Sequence, residues 1–395
     1  MRDVVICSSV RTAIGTFGGS LAGTALCDLA TEVAKEAIGR AGIEADAVDQ
    51  TVFGNVLHTE PRDMYLSRVA AINAGVPETS PALTLNRLCG SGLQAAVSGA
   101  EQIMLGNADV ALVGGAESMS RAGHVISKAR FGAKMGDATA IDMMTGALTD
   151  PFGHGHMGVT AENIAIEKGI DRADQDALAV ESHRRAKAAI EAGHFKDQIL
   201  PITVRKGREE VAFAVDEHVR MDVAPGDMEK LRPVFKKEGS VTAGNASGIN
   251  DGAAALVLAG AEVAEVRGLP VLAQIKTSAL GGVRPEVMGL GPVPAVELAL
   301  QKSGLKIGDM DCIESNEAFA AQACAVARDL GFPTERTNPN GGAIALGHPV
   351  GASGAIILTK LIHELRRTGG KLGLATMCIG GGQGIAVIVE NPDAG

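Results

Sequence analysis

Ala37-Ile38-Gly39-Arg40-Ala41-Gly42-Ile43-Glu44-Ala45-Asp46-Ala47-Val48-Asp49 returns later in the chain, altered in letters but not in pattern, as Ala299-Leu300-Gln301-Lys302-Ser303-Gly304-Leu305-Lys306-Ile307-Gly308-Asp309-Met310-Asp311. The offset is 262 residues, from Asp49 to Asp311, and the same offset carries Ser91-Gly92 onto Ser353-Gly354. One offset over two separated stretches implies two similarly folded halves with a segment inserted between them. Around the first copy, Val4–Ser8 reads as a strand. Leu26, Leu29, Ala30, Val33, Ala34, Ala37 and Ile38 make one helical face, opposite Glu32, Lys35, Glu36 and Arg40. Thr51–Val56 and the apolar run Val110–Val113 read as strands. Around the second copy, strands are expected at Val271–Lys276, Cys312–Ser315, Leu372–Met377 and Ile385–Val389, with helices before Gly304 and over Gly351–Arg366. Both halves are α/β.

The stretch from Met119 to Ser247 breaks this alternation and shows one clear helix, Arg172–Ala192. The expected organisation is a first half over 1–118, completed by about 248–270, an inserted lobe over 119–247, and a second half over 271–395. The chain is acidic, with a formal net charge of −10, which disfavours nucleic acid and anionic membranes as partners. With no Trp and one Tyr, Tyr65, it has little to stack on bases. Residues 181–240 hold 12 Lys and Arg against 11 Asp and Glu, so the insert is the part that suits a polyphosphate; a solvated mixed-charge surface accounts for the same counts. The 51 glycines sit in short clusters, as tight turns and close backbone approaches require. None of the six cysteines forms a Cys-x-x-Cys pair, so a zinc site is not expected. The opening Met1–Ile6 reads as a strand rather than a signal peptide. The closing Asn391–Gly395 carries no peroxisomal tripeptide. No apolar run approaches a membrane span. A reducing cytoplasm is the expected compartment.

Chemistry enters at Asn86-Arg87-Leu88-Cys89-Gly90-Ser91-Gly92, followed by Leu93, Ala96, Val97, Ala100, Ile103 and Met104 at helical spacing. That places Cys89 near a helix N-terminus, where unpaired N–H groups favour an anion and a thiol ionises more easily. A buried structural cysteine fits the same letters. The duplication sets a second turn opposite it, Asn338-Pro339-Asn340-Gly341-Gly342 through Gly347-His348-Pro349-Val350-Gly351-Ala352-Ser353-Gly354, so His348 can approach Cys89 as a general base. Met377-Cys378-Ile379-Gly380-Gly381-Gly382 and Glu314-Ser315-Asn316-Glu317-Ala318-Phe319 each stand at a strand end. Taken singly, each is a turn, a core thiol or a cap. Together they resemble one site.

With these motifs and His156-Met157-Gly158, the chain resembles the thiolase family over essentially its whole length, most of all the bacterial β-ketothiolases (acetyl-CoA acetyltransferases), including broad-specificity members of polyhydroxyalkanoate-making bacteria. The resemblance implies the thiolase fold: two pseudo-symmetric layered α/β halves (α-β-α-β-α) with an inserted loop lobe that holds coenzyme A. It implies Cys89 as the acylated nucleophile, His348 as the group that takes its proton, and Cys378 as the acid/base at the α-carbon. Asn316, through a water, and His348 would stabilise one oxyanion; the N–H groups of Cys89 and Gly380 would stabilise the other. His156, Met157, Ser247 and Phe319 would line the pantetheine path, and Arg220 would lie near the nucleotide. Phe235 would pack on adenine, although core packing explains Phe235 and Met157 as well. Leu148 ends the Met135–Leu148 segment that, with Met64–Arg68, would shape the acyl pocket. Coenzyme A and acyl-CoA are implied as substrates and products, with no permanently bound cofactor and no metal. A homotetramer built as a dimer of dimers is implied too, with Lys128–Asp142 as a candidate contact.

The activity so implied is ping-pong acyl transfer: two acetyl-CoA give acetoacetyl-CoA and coenzyme A, and in reverse coenzyme A cleaves a 3-ketoacyl-CoA. The rivals are a decarboxylating ketoacyl synthase on the same fold and a non-catalytic acyl-CoA carrier. The second acid/base separates the first of them: by resemblance, those synthases place histidine or asparagine where this chain has Cys378. A carrier would have no use for Cys89, His348, Cys378 and Asn316 together.

Overall fold

The structure is a computed structural model that describes Met1–Ala394. Gly395, the last residue of the terminal stretch read above, lies outside the described residues. The first half runs β1 (Val4–Thr12), α1 (Leu26–Ala41), β2 (Gln50–Gly54), β3 (Ala82–Leu85), α2 (Ser91–Met104) and β4 (Val110–Ser118). Between β4 and Asn250 lie short strand pairs and two long helices, α3 (Met157–Lys168) and α4 (Arg172–Ala192). The chain continues with β5 (Asn250–Gly260), β6 (Ala273–Gly282), α5 (Pro292–Ser303), β7 (Cys312–Ser315), α6 (Ala320–Leu330), α7 (Ser353–Thr368), β8 (Leu372–Ile379) and β9 (Gln383–Glu390).

The duplication is visible to the residue. β4 begins at Val110 and β8 at Leu372; β2 begins at Gln50 and β7 at Cys312; α2 begins at Ser91 and α7 at Ser353. Each pair is 262 apart. The aligned glycines Gly42 and Gly304 end α1 and α5 in the left-handed conformation, at φ +68° and +70°. That backbone costs glycine nothing and strains other residues.

The main sheet runs β7-β8-β9-β6-β1-β5-β4-β2-β3, with Gly15–Thr16 and Ile199–Leu200 attached beside it. Read inward towards the centre, each half repeats the same order and sense: β2 parallel to β4, β4 antiparallel to β5 and β5 antiparallel to β1; β7 parallel to β8, β8 antiparallel to β9 and β9 antiparallel to β6. The halves join where β1 pairs with β6, through Val5 on Gln274 and Ile6 on Ala273. Helices α1 and α5 pack on strands of their own halves, and α2 packs on α7. The close approach of that central pair depends on glycine. A Cβ on Gly92 would lie 2.7 Å from the backbone N of Ala355, and one on Gly354 would strike the backbone N of Leu93.

The core follows from near-continuous apolar strands. Val110–Val113 and Ala253–Ala259 are wholly buried. Full burial of each valine or leucine contributes about 1.5–3 kcal/mol. β1 extends past its expected end at Ser8 because Arg11 is buried too. Its guanidinium donates to both Asp216 carboxylate oxygens, at 2.7 and 2.9 Å, and lies over the Phe195 ring at 5.0 Å. That pair ties the inserted segment to the first strand; removing one partner of a buried pair typically costs about 3–5 kcal/mol.

Candidate active site

The turn before α2 is built to present Cys89. Asn86 Oδ1 accepts the Leu88 N–H at 2.8 Å, Ser91 Oγ accepts the Arg87 N–H at 2.8 Å, and the same hydroxyl donates to the Leu88 carbonyl at 2.6 Å. Leu88 is thereby held at φ +45°, one of two non-glycine residues with positive φ among the described residues. Strain of this kind persists only where the surroundings over-determine it.

Cys89, His348, Cys378 and Gly380 line one narrow cavity, together with Leu88, Leu148, Met157, Ser247, Phe319, Met288 and Val350. The backbone N–H groups of Gly380 and of Cys89 itself point at the Cys89 sulfur. The thiol nonetheless does not rest as the easily ionised group expected from its place before a helix. Burial pushes it up to about 11, with the two N–H groups pulling the other way and Glu117 adding to the rise. Desolvation outweighs the helix terminus here. Cys378 is fully buried at the end of β8, and burial, then the neighbouring Cys89, raises it further. His348 is driven the opposite way. Burial lowers it to about 4, so it is neutral at pH 7 and free to accept a proton. Its Nδ1 lies 2.6 Å from Ser353 Oγ, and its Nε2 is buried without a protein partner. The resting site therefore holds two thiols and a neutral imidazole. A nucleophile in the place of Cys89 would lose its proton as it attacks, not before.

Asn316 is also buried. Its N–H donates to the Thr376 carbonyl at 3.0 Å, and its side-chain Nδ2 has no protein partner. It lines a separate small cavity on the Ser353 side of His348, shared with Glu314, Asn338, Gly347, Ser353 and Lys360. Asn338, itself at φ +46°, accepts the Ser315 N–H and donates to the Ser315 carbonyl and to Glu317, which fixes the loop on either side of Asn316.

Farther out, His156 stacks on Phe235 with centroids 4.7 Å apart, and Phe235 meets Phe319 edge-on at 6.2 Å. One face of Phe235 is thus covered by a side chain of its own chain. The ring packs, half-buried, against the cluster of Met157, Ala318 and Phe319. His156 Nδ1 accepts the Gly158 N–H at 3.0 Å and caps α3. Ser247 donates its N–H to the Ala318 carbonyl, and the Leu148 carbonyl accepts the Met157 N–H. Arg220 is exposed and outside the cavity. Its backbone N–H donates to His183 Nδ1 at 3.1 Å, and its side chain makes no salt bridge among the described residues. No three His, Cys, Asp or Glu side chains gather to hold a metal among the described residues.

Sequence reasoning assigned no role to Glu117, Asn250 or Asn338. Glu117 and Asn250 share a readable signal: each is a polar residue at the end of a continuous apolar strand.

Known proteins show the same whole-chain pattern. The model of the thiolase N-terminal domain matches residues 4–262, and that of the thiolase C-terminal domain matches residues 269–391. The chain is 60% identical to beta-ketothiolase BktB of Cupriavidus necator over 391 residues, 98% of this chain and 99% of that one. It is 49% identical to acetyl-CoA acetyltransferase of Escherichia coli, covering 99% of each. Human mitochondrial 3-ketoacyl-CoA thiolase superposes with a TM-score of 0.97 at 44% identity over 99% of both chains, and a structure of it in complex with CoA with a TM-score of 0.96. Taken with two thiols and a neutral histidine on one cavity of a duplicated α/β fold, these matches establish that the chain belongs to the thiolase family.

Proposed function

We propose that Cys89 takes an acyl group from acyl-CoA while His348 accepts its proton, and that Cys378 then exchanges the α-proton of the second acyl group. The reaction is the family's: reversible Claisen condensation of two acyl-CoA, and thiolysis of 3-ketoacyl-CoA by coenzyme A. The observation that carries the assignment of roles is the shared cavity of Cys89, His348, Cys378 and Gly380. The Gly380 and Cys89 N–H groups suit the oxyanion that forms on the thioester carbonyl oxygen when the Cys89 sulfur adds to the acyl carbon. The free Nδ2 of Asn316 and Nε2 of His348 suit an enolate oxygen, Asn316 acting through a water. Cys378 as second acid/base favours this chemistry over a decarboxylating synthase. The test is thiolysis of acetoacetyl-CoA beside five- and six-carbon 3-ketoacyl-CoA, each with intact-mass detection of the acyl-enzyme. Turnover of at least one with acyl-Cys89 is expected; turnover without any adduct excludes the covalent route.

Coenzyme A enters past Met157, Ser247 and Phe319, with its nucleotide towards Arg220 on the inserted segment. An exposed ion pair is worth about 1 kcal/mol or less, so Arg220→Ala is expected to raise KM for coenzyme A by about threefold to fivefold, more at low salt. A pantetheine thioester without the nucleotide should show no such change, and an equal penalty on it would remove Arg220 from the phosphate site.

The assembly we propose is a homotetramer. It is supported by the exposed apolar side chains of Val125, Ile126, Phe131, Met135 and Ile141 on or beside the Lys128–Asp142 segment; native mass in solution checks it. Six free cysteines support a reducing cytoplasm as the compartment. Among the described residues no helix is long and apolar enough to cross a membrane.

A further inference from the structure

The loop that carries His348 belongs to the second half, but two residues of the first half hold it. Asn250, the first residue of β5, accepts the His348 N–H at 2.9 Å and donates to the Gly15 carbonyl at 3.0 Å. At the other end of the loop, Gly351 donates its N–H to Glu117 Oε2 at 2.8 Å. The same oxygen accepts the Val56 N–H at 3.0 Å. Glu117 Oε1 accepts the Leu57 N–H at 3.0 Å and Asn55 Nδ2 at 2.9 Å. One wholly buried carboxylate therefore gathers four donors from the loop after β2 and the loop before α7. Val56, itself one of those donors, and Val350, beside Gly351, line the reaction cavity.

No salt bridge reaches Glu117 among the described residues. The titratable groups that bear on it are Asp251, at the start of β5, and Cys89. Burial raises the Glu117 carboxyl to about 8, against three backbone N–H groups that lower it. The geometry decides its form. All four partners are donors, so a protonated carboxyl would turn an O–H towards an N–H, whereas a carboxylate accepts from every one. A neutral side chain of the same length would lack an acceptor for at least one of them.

We propose that Glu117 is a positioning residue of the reaction: its carboxylate ties Val56, Leu57 and Gly351 to one point and so sets His348 against Cys89. This rests on the reading of Cys89 as nucleophile and His348 as its base. The charge acts in one direction, because a carboxylate near a thiol disfavours the thiolate.

The experiment compares Glu117→Gln and Glu117→Asp with the unaltered enzyme. Three quantities are read: the rate of acetyl-enzyme formation, KM for coenzyme A, and the pH midpoint for alkylation of Cys89 by iodoacetamide. In Glu117→Gln an amide N–H faces a backbone N–H and the strap opens. A shift of about 1 Å at a reacting group costs on the order of a hundredfold, so acylation is expected to slow by roughly tenfold to a hundredfold. KM for coenzyme A is expected to stay within about twofold, because the cofactor-binding wall is untouched. With the charge gone, the alkylation midpoint moves to lower pH. Glu117→Asp keeps the charge but shortens the reach, so it should slow acylation and leave the midpoint in place. Unaltered acylation in Glu117→Gln, a midpoint that stays or rises in it, or KM climbing in step with a falling rate overturns the proposal. If Glu117→Gln does not fold, Glu117→Asp decides by the same split between rate and KM. Failure of the unaltered enzyme to form acetyl-Cys89 is a different result: it sinks the assignment of the nucleophile itself, and the intact mass shows it directly.

Discussion

Cys89→Ala is expected to form no acetyl-enzyme and to lose turnover by roughly a millionfold, the scale seen when an enzyme's nucleophile is deleted. The argument is chemical. Cys89 alone stands under two backbone N–H groups at the mouth of α2, and Cys378, the other thiol of the cavity, sits deeper at the end of β8. Intact mass after acetyl-CoA addition should show one added acetyl group on the unaltered enzyme and none on the variant. A haloacetamide should likewise label Cys89 before Cys7, Cys27, Cys312, Cys324 and Cys378. Four of those five are buried, and burial raises all five. An acetyl adduct that persists in Cys89→Ala would transfer the role to another residue.

Cys378→Ala should behave in the opposite manner. It keeps the acetyl adduct on Cys89 and loses exchange of the α-proton, along with condensation, by about 10²–10⁴-fold, the usual range for a positioned acid or base. Burial and the adjacent Cys89 both raise the Cys378 thiol, so it is protonated at neutral pH. It is therefore set to return a proton to the enolate in thiolysis, and in condensation it becomes a base only as the enolate forms beside it. Proton exchange from deuterated acetyl-CoA, followed alongside the mass of the protein, separates the two steps. A Cys378 variant that cannot be acetylated would mean that the two thiols share one role.

Much of this architecture is legible in the letters because the chain states it twice. Cys312–Ser315, in the repeated part, matches its expected strand to the residue, and Arg172–Ala192, which has no counterpart in the repeat, matches its expected helix. Elements that depend on partners distant in sequence are harder to read. β1 runs four residues beyond Ser8, since Arg11 counts as polar until Asp216, more than two hundred residues on, is brought against it. Helix α3 is hidden for a similar reason. It buries Met157, Thr160, Ala161, Glu162, Ile164 and Ala165, and its acidic Glu162 faces inward to accept the Ser240 and Val241 N–H groups. A helix buried around most of its circumference has no polar stripe to betray its period. In the site, the cysteines and His348 stand out because few other jobs explain them at strand and helix ends. The resting state of Cys89 does not, because desolvation depends on everything packed around it. Glu117 shows itself only as a polar residue at a strand end, and its role is not legible there, because its four donors come from two stretches far apart in the chain, Asn55–Leu57 and Gly351.

The 262-residue correspondence has one more consequence, for where asymmetry resides. Two identical halves facing each other would offer every functional group twice, and a condensation that needs one attacking thiol and one proton-carrying thiol would gain nothing from the second set. Here each partner position is vacated. Opposite Cys89 stands Gly351, opposite His348 stands Asn86, opposite Cys378 stands Ala116, and opposite Asn316 stands Gly54. On the roles proposed above, the first half supplies the acyl carrier and the second supplies the proton traffic, so neither inherits a working centre alone. The small residues left at the vacated positions have found other employment: Gly54 gives room to the backbone of Ser91, at the head of the nucleophile's helix, and the Gly351 N–H is held by Glu117. A symmetrical scaffold thus hosts a reaction with a direction, the mirror positions having become the packing that keeps the surviving site in register.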